Sequence, residues 1–213
     1  QSDYKTAKAA FEGFKEYSIR SSIETLALLK NENSALPLSK NAKITLMGLR
    51  SYAAIHGNNG GSTPDTKTVE GNRIFDVFKE YGFEINPSML AAYAAYCAPL
   101  TWAPPSFGNS SPSYKELNVT NDIPELSLAE LANYNPDYRA DYDEYNDAAI
   151  VVVGRPGGEN YNYVPGGQDT TTGNIFGLSS EEKEIIAEAK SHFDKVIVLV
   201  NSTQQMEIAE LKN

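Results

Sequence analysis

One glutamate in this chain is delivered where a ligand could receive a proton. Glu159 ends the run Val151-Val152-Val153-Gly154-Arg155-Pro156-Gly157-Gly158-Glu159. The glycines let the backbone turn sharply and Pro156 stiffens the bend. The apolar residues that lead in, from Ala148, read as a strand buried on both faces, because the run is continuous rather than alternating. Ligands of open α/β sheets bind outside the carboxyl ends of the strands, so a carboxyl group presented there can act as acid or base. The plainer alternative is a solvated glutamate in a glycine-rich loop.

The residue types around Glu159 suit carbohydrate. Sugars are neutral and rich in hydroxyls, and Asn, Ser, Asp, Arg and aromatic residues fill the segments 49–70 and 155–177. Glycoside cleavage needs two carboxyl groups, one of them protonated to assist the leaving oxygen. Asp169 lies in the same loop and the acidic run at 141–147 precedes the strand, so neither makes a convincing partner. The chain therefore carries half of such a site. Other chemistries fit less well. His56 and His192 are the only histidines and lie far apart, so no metal and no cofactor are expected. A Gly-x-Ser-x-Gly elbow is missing. Gly57-Asn58-Asn59-Gly60-Gly61-Ser62 follows the first strand without the spacing of a dinucleotide fingerprint, and no Walker lysine follows it. A nucleotide binder stays open only on architecture.

These residues must be positioned by a folded domain, and the composition allows one. The 213 residues are 41% hydrophobic and 22% charged, the balance of a soluble globular protein. The charge, 18 basic against 28 acidic residues or −10, argues against nucleic acid and anionic membrane as partners. The sequence contains no apolar run of the roughly 20 residues that a membrane span needs. Cys97 is the single cysteine and reads as a small core residue.

Along the chain, residues 3–30 have helical periodicity, and Asn31 to Leu38 break it. Lys43 to Gly48 reads as a short strand followed by a long loop, and Ile74, Val77, Phe78 and Tyr81 mark a helix closed by Gly82. Phe83 to Asn86 is a second strand and Ser88 to Cys97 a further helix. Pro99 to Pro112 is a surface excursion bearing Trp102 and Phe107. Tyr114 to Val119 reads as a peripheral strand, Ser127 to Asn133 as a short helix, and Asp141 to Asp147 as a solvated face. Ser179-Ser180-Glu181-Glu182 is a capping box opening a helix, near whose end His192 meets the dipole favourably. Lys195 to Val200 reads as another fully buried strand, and Met206 to Leu211 as the start of a last helix. This punctuation predicts an α/β fold, a doubly wound, mostly parallel sheet with helices on both faces.

Several of these stretches together resemble glycoside hydrolase family 3, the β-glucosidase family, in its α/β sandwich domain. They are Ser22 to Leu38 with its Leu28-Leu29-Lys30-Asn31 and Leu36-Pro37-Leu38, the strand Lys43 to Gly48, and Gly60-Gly61-Ser62. Gly154-Arg155-x-x-Gly158-Glu159, Leu178 to Glu182, and Val196 to Asn201 with Met206-Glu207 complete an ordered set. The resemblance implies that Glu159 is the general acid/base of a retaining β-glycosidase. It implies that Arg155 orders the loop and, with Ser62, contributes to sugar binding. It also implies a barrel domain elsewhere in a longer chain, carrying an aspartate nucleophile. The ligand would be a β-linked glucoside or oligosaccharide, and this piece alone would be inactive. Asn160-Tyr161-Asn162 departs from the family's Gly-x-Asp, which points either to different sugar contacts or to a decayed site.

The resulting expectation is a single α/β sandwich domain over 1–213. Residues 1–38 form its opening helix and linker; residues 39–213 form the sheet, with inserted loops near 99–112 and 155–177. The last strand or strands are expected to be missing, leaving a sheet edge open to pairing. The alternative function is a non-catalytic carbohydrate-binding or structural module of the same fold. Location stays open between the cytoplasm and export.

Overall fold

The computed structural model describes residues 4–54, 73–98, 125–155, 176–202 and 205–212, with the backbone alone at 102–103 and 113–114. Two compact units divide the chain, Gln1–Leu36 and Pro37–Asn213.

The first unit is a helix and a turn. Helix α1 spans Ala7–Thr25, and Thr6 caps it by accepting the Ala9 N–H at 3.1 Å. It is shorter than the periodicity predicts, because Leu26 is extended (φ −71°, ψ 127°). The Leu-Leu-Lys-Asn segment is therefore not helical. Asn31 closes the next turn with its amide, accepting the Leu36 N–H at 3.0 Å and donating to the Leu36 carbonyl at 3.1 Å. Asn33 and Ser34 take left-handed backbone inside that turn (φ 53° and 56°).

The second unit is built on a parallel sheet. Its strands are β1 (Lys43–Met47), β2 (Glu84–Ile85), β5 (Ala148–Val153) and β6 (Val196–Val200) in the order β2-β1-β5-β6. The helices are α2 (Ile74–Glu80), α3 (Pro87–Cys97), α4 (Leu128–Tyr134) and α5 (Ser180–His192). A separate antiparallel pair, β3 (Trp102–Ala103) with β4 (Ser113–Tyr114), places Trp102 opposite Tyr114. The pleat sends alternate residues to two cores. Met47, Ala149, Val151 and Val153 pack with Met89 and Tyr93 of α3, Leu131 of α4 and Ile185 of α5. Ile44, Leu46, Ala148, Ile150 and Val152 pack with Phe75 of α2 and Ile85 of β2. Helices thus cover both faces of a parallel sheet, the doubly wound α/β architecture expected from the sequence.

Three local readings change. β6 is half-buried rather than fully buried: it lies at the edge of the sheet among the described residues, and its apolar composition does not distinguish edge from centre. The last helix is a 3₁₀ turn, Ala209–Lys212. The acidic run before β5 is more than a solvated face, because it stitches the amino end of β1 to that of β5. Asp147 accepts the Lys43 N–H at 2.7 Å, Glu144 pairs with the Lys43 ammonium at 2.8 Å, and Tyr145 O accepts from the Thr45 hydroxyl at 2.9 Å. Tyr142 in the same run is buried against Phe193 and the His192 ring.

Cys97 is buried at the end of α3, and burial pushes its thiol up to about 12. A thiol reagent of the Ellman type at pH 8 is expected to leave it unmodified in the native protein and to titrate it fully in denaturant. Rapid labelling without denaturant would show that the end of α3 opens readily.

Candidate functional site

The topology singles out one crevice. From β1 the chain crosses through α2, on one face, to β2; from β5 it crosses through α5, on the opposite face, to β6. The neighbouring strands β1 and β5 therefore send their connections in opposite directions, which makes their carboxyl ends the topological switch point where α/β sheets bind ligands. The chain leaves β1 through Gly48-Leu49-Arg50-Ser51 and leaves β5 through Gly154-Arg155. Ser62 and Glu159 belong to the segments that continue from these two exits, and both lie outside the described residues.

Gly48 is where the two strand ends meet most closely. Its φ of +86° is open to glycine, and an added Cβ would strike the carbonyl oxygen of Val152 on the neighbouring strand. Its N–H donates to the Tyr93 hydroxyl at 2.8 Å. The following 3₁₀ turn, Leu49–Ser51, is buried throughout, and among the described residues the Ser51 hydroxyl makes no hydrogen bond.

Arg155 is described, and it closes the base of the loop after β5. Its two terminal nitrogens meet the two carboxylate oxygens of Glu182, each at 2.6 Å. One donates also to the Gly154 carbonyl at 2.8 Å and the other to the Gly177 carbonyl at 2.6 Å. The outgoing strand end, the returning chain and the first turn of α5 are thus held by one planar guanidinium in the fork geometry that carboxylates favour. Ser202 beyond β6 adds a hydrogen bond to the Arg155 carbonyl at 3.2 Å. The Arg155–Glu182 pair is largely shielded from water, with side chains 16% and 5% exposed. Glu182 also completes the capping box at Ser179, accepting its N–H at 2.9 Å, so one carboxylate starts α5 and anchors the loop.

A second carboxyl group occupies the β1 side, and sequence reasoning did not single it out. Glu125, part-buried just before α4, accepts the Leu49 N–H at 2.6 Å and the Leu126 N–H at 3.1 Å. Tyr93 reaches it with its hydroxyl at 3.4 Å. Burial pushes the Glu125 carboxyl up to about 7; the two backbone N–H groups and Arg50 pull it down, and Glu182 pushes it further up. Burial likewise raises Tyr93 well above the ordinary range, so its hydroxyl keeps its proton. The only signal in the sequence is a charged residue between Pro124 and Leu126, ahead of the Ser127 cap.

Among the described residues no three metal-ligating side chains come together, and no helix is long and apolar enough to cross a membrane. The described ends of β1 and β5 thus hold backbone donors, hydroxyls, one guanidinium clamp and carboxyl groups that bond to one another.

Known proteins share this fold. Residues 26–213 match the family model described as the glycosyl hydrolase family 3 C-terminal domain. Beta-glucosidase A of Butyrivibrio fibrisolvens is 24% identical over an alignment of 204 residues that covers 87% of this chain and 22% of that protein. A beta-glucosidase from Paenibacillus barengoltzii is similar in fold, with a TM-score of 0.68 and 23% identity, over 95% of this chain and 20% of that one. Beta-glucosidase 3B from Thermotoga neapolitana, solved in complex with alpha-D-glucose, gives a TM-score of 0.67 and 25% identity, over 94% of this chain and 26% of that one. The chain spans about a fifth to a quarter of the length of these relatives.

Proposed function

The chain belongs to glycosyl hydrolase family 3 through its C-terminal domain, and from that membership we propose that it supplies the acid/base half of a retaining β-glucosidase. The observation that carries this reading is the switch point. The segments bearing Ser62 and Glu159 continue from adjacent strand ends, β1 and β5, of one parallel sheet, and Arg155 fastens the second segment at its base. The glucose bound in the Thermotoga neapolitana relative supports a glucoside as ligand.

The chemistry divides between this domain and a barrel domain of the longer protein. An aspartate on the barrel attacks the anomeric carbon while Glu159 protonates the departing glycosidic oxygen. Glu159 then takes a proton from water, which attacks the same carbon and releases the sugar with its configuration retained. Ser62 contacts the sugar, and Arg155 keeps the Glu159 loop in register with it. The chain by itself lacks the nucleophile and is inactive.

The test is to treat the full-length protein with a 2-deoxy-2-fluoro β-glucoside carrying a good leaving group. The slowed second step should trap a covalent glycosyl-enzyme, with the label on an aspartate outside residues 1–213. Hydrolysis of an ordinary aryl β-glucoside should release the β-anomer first. A full-length protein that neither hydrolyses aryl glycosides nor becomes labelled would leave this domain a binding or structural module.

A further inference from the structure

We propose that Glu125 is a positioning residue for the sugar site, whose carboxylate, together with the Tyr93 hydroxyl, holds the exit of β1 at the switch point. The inference rests on the glycosidase reading for its kinetic consequence, although its structural content stands apart from that reading. Beyond Met47 the N–H groups of Gly48 and Leu49 need acceptors, since buried backbone donors are rarely left unpaired. Two side chains from elsewhere supply them: Tyr93 of α3 accepts from Gly48 at 2.8 Å, and Glu125 accepts from Leu49 at 2.6 Å. The two acceptors are themselves joined at 3.4 Å. Both consecutive amides at the mouth of the crevice thus hang on one carboxylate and one phenol.

The charge state of Glu125 decides how tightly they hang. Among the described residues the groups that face it are Arg50 from the β1 exit, Glu182 from α5, and Tyr93, Tyr96 and Cys97 from α3. Ionised, Glu125 accepts from Leu49, Leu126 and Tyr93 together. Protonated, it loses its charge, and the bonds it accepts are no longer charge-assisted. The carboxyl group titrates near 7 in the fold against an ordinary value of 4.5. Below 4.5 both folded and unfolded chains hold the proton, and above 7 neither does. Between these values the folded chain alone holds it, so stability falls as pH rises through the window and stays lower above it. The charge that completes the local bonds thus works against global stability. Stability alone does not account for a carboxylate in this place, whereas a site that must be held does.

The test uses the full-length protein and two readouts. Hydrogen exchange of the Leu49 amide, corrected for the intrinsic rate, should show about tenfold less protection at pH 8 than at pH 6, because an opening that breaks the Glu125–Leu49 bond releases the carboxyl group to water, where it ionises more readily. In Glu125→Gln this step should vanish. Kinetically, Glu125→Gln should raise KM for an aryl β-glucoside about tenfold at pH 8 with kcat little changed, and remove a limb near pH 7 from the kcat/KM profile. Tyr93→Phe should lower the protection of Gly48 while leaving the pH step at Leu49. A wild-type protein with no protection step between pH 6 and 8, or a Glu125→Gln variant that keeps it, overturns the proposal. Should the full-length protein hydrolyse no glucoside, the glycosidase reading fails and the exchange readout alone decides the role of Glu125. The wild-type exchange profile needs no variant to fold.

Discussion

Turnover of an alkyl β-glucoside by the full-length protein is expected to fall by about 10²–10⁴-fold when Glu159 is replaced by alanine, the range typical of a lost general acid. An alkoxide is a poor leaving group, so on the proposed reading its departure depends on a proton from Glu159. A 2,4-dinitrophenyl β-glucoside needs no such help, and with it the first step should persist in Glu159→Ala while release of the glycosyl-enzyme becomes limiting. Azide needs no general base. It should attack the anomeric carbon, displace the enzyme's aspartate, restore turnover and leave a β-glucosyl azide. Equal activity of Glu159→Ala and wild type on the alkyl glucoside, without azide, would make Glu159 a bystander. The acid would then have to be sought among other carboxyl groups at the strand ends.

Gly48→Ala is expected to destabilise the domain by about 3–5 kcal/mol, near the upper end of single substitutions. Two effects add. At φ +86° and ψ 134° an alanine is strained whatever the available space. The new methyl would also strike the Val152 carbonyl oxygen, and the β1–β5 register leaves that oxygen little room to yield, since Met47 is already paired with Val151. Relief requires the two central strands to part at their carboxyl ends, where Tyr93 and Glu125 hold the chain. Typical domains have about 5–15 kcal/mol in total, so the variant should unfold at a much lower urea concentration or fail to accumulate. A midpoint close to wild type would mean that the strand ends separate easily and that the switch point is loosely built.

The part of this molecule legible in its sequence is the part set by local pattern. The continuous run Ala148 to Val153 announces a doubly covered strand, and all six residues are buried. The capping box at Ser179 and Gly82 mark helix ends correctly, because each rests on residues within a few positions. Val196 to Val200 is as apolar as β5 yet only half-buried, because exposure depends on how many strands flank it, which is not a property of the segment. The helix at the start is overextended for a related reason: Leu26 continues the helical spacing of Ile19 and Ile23, and nothing before Asn31 in the sequence signals that the chain has already straightened. At the site, the switch point follows from strand order alone. Arg155 was found through its motif, but its partner Glu182, 27 residues on, was read only as a cap. Glu125 was missed altogether, because its acceptor role exists only once Leu49, 76 residues earlier, and Tyr93 have been brought to it.

The order in which these strands appear has a consequence for synthesis. β1 borders only the two-residue β2 until β5 arrives, and the bonds that stitch their amino ends join residues 104 and 101 positions apart. At elongation rates of about 5–20 residues per second, the ribosome needs roughly 5–20 s to pass from one strand to the other. Throughout that interval Ile44, Leu46 and Met47 travel on the nascent chain without the neighbour that buries them. Low-order local contacts cannot shorten the wait, because the central pair closes the longest loop of the sheet. The nascent chain therefore carries β1 without its main partner until β5 is made, a state in which a holding chaperone has the most to gain.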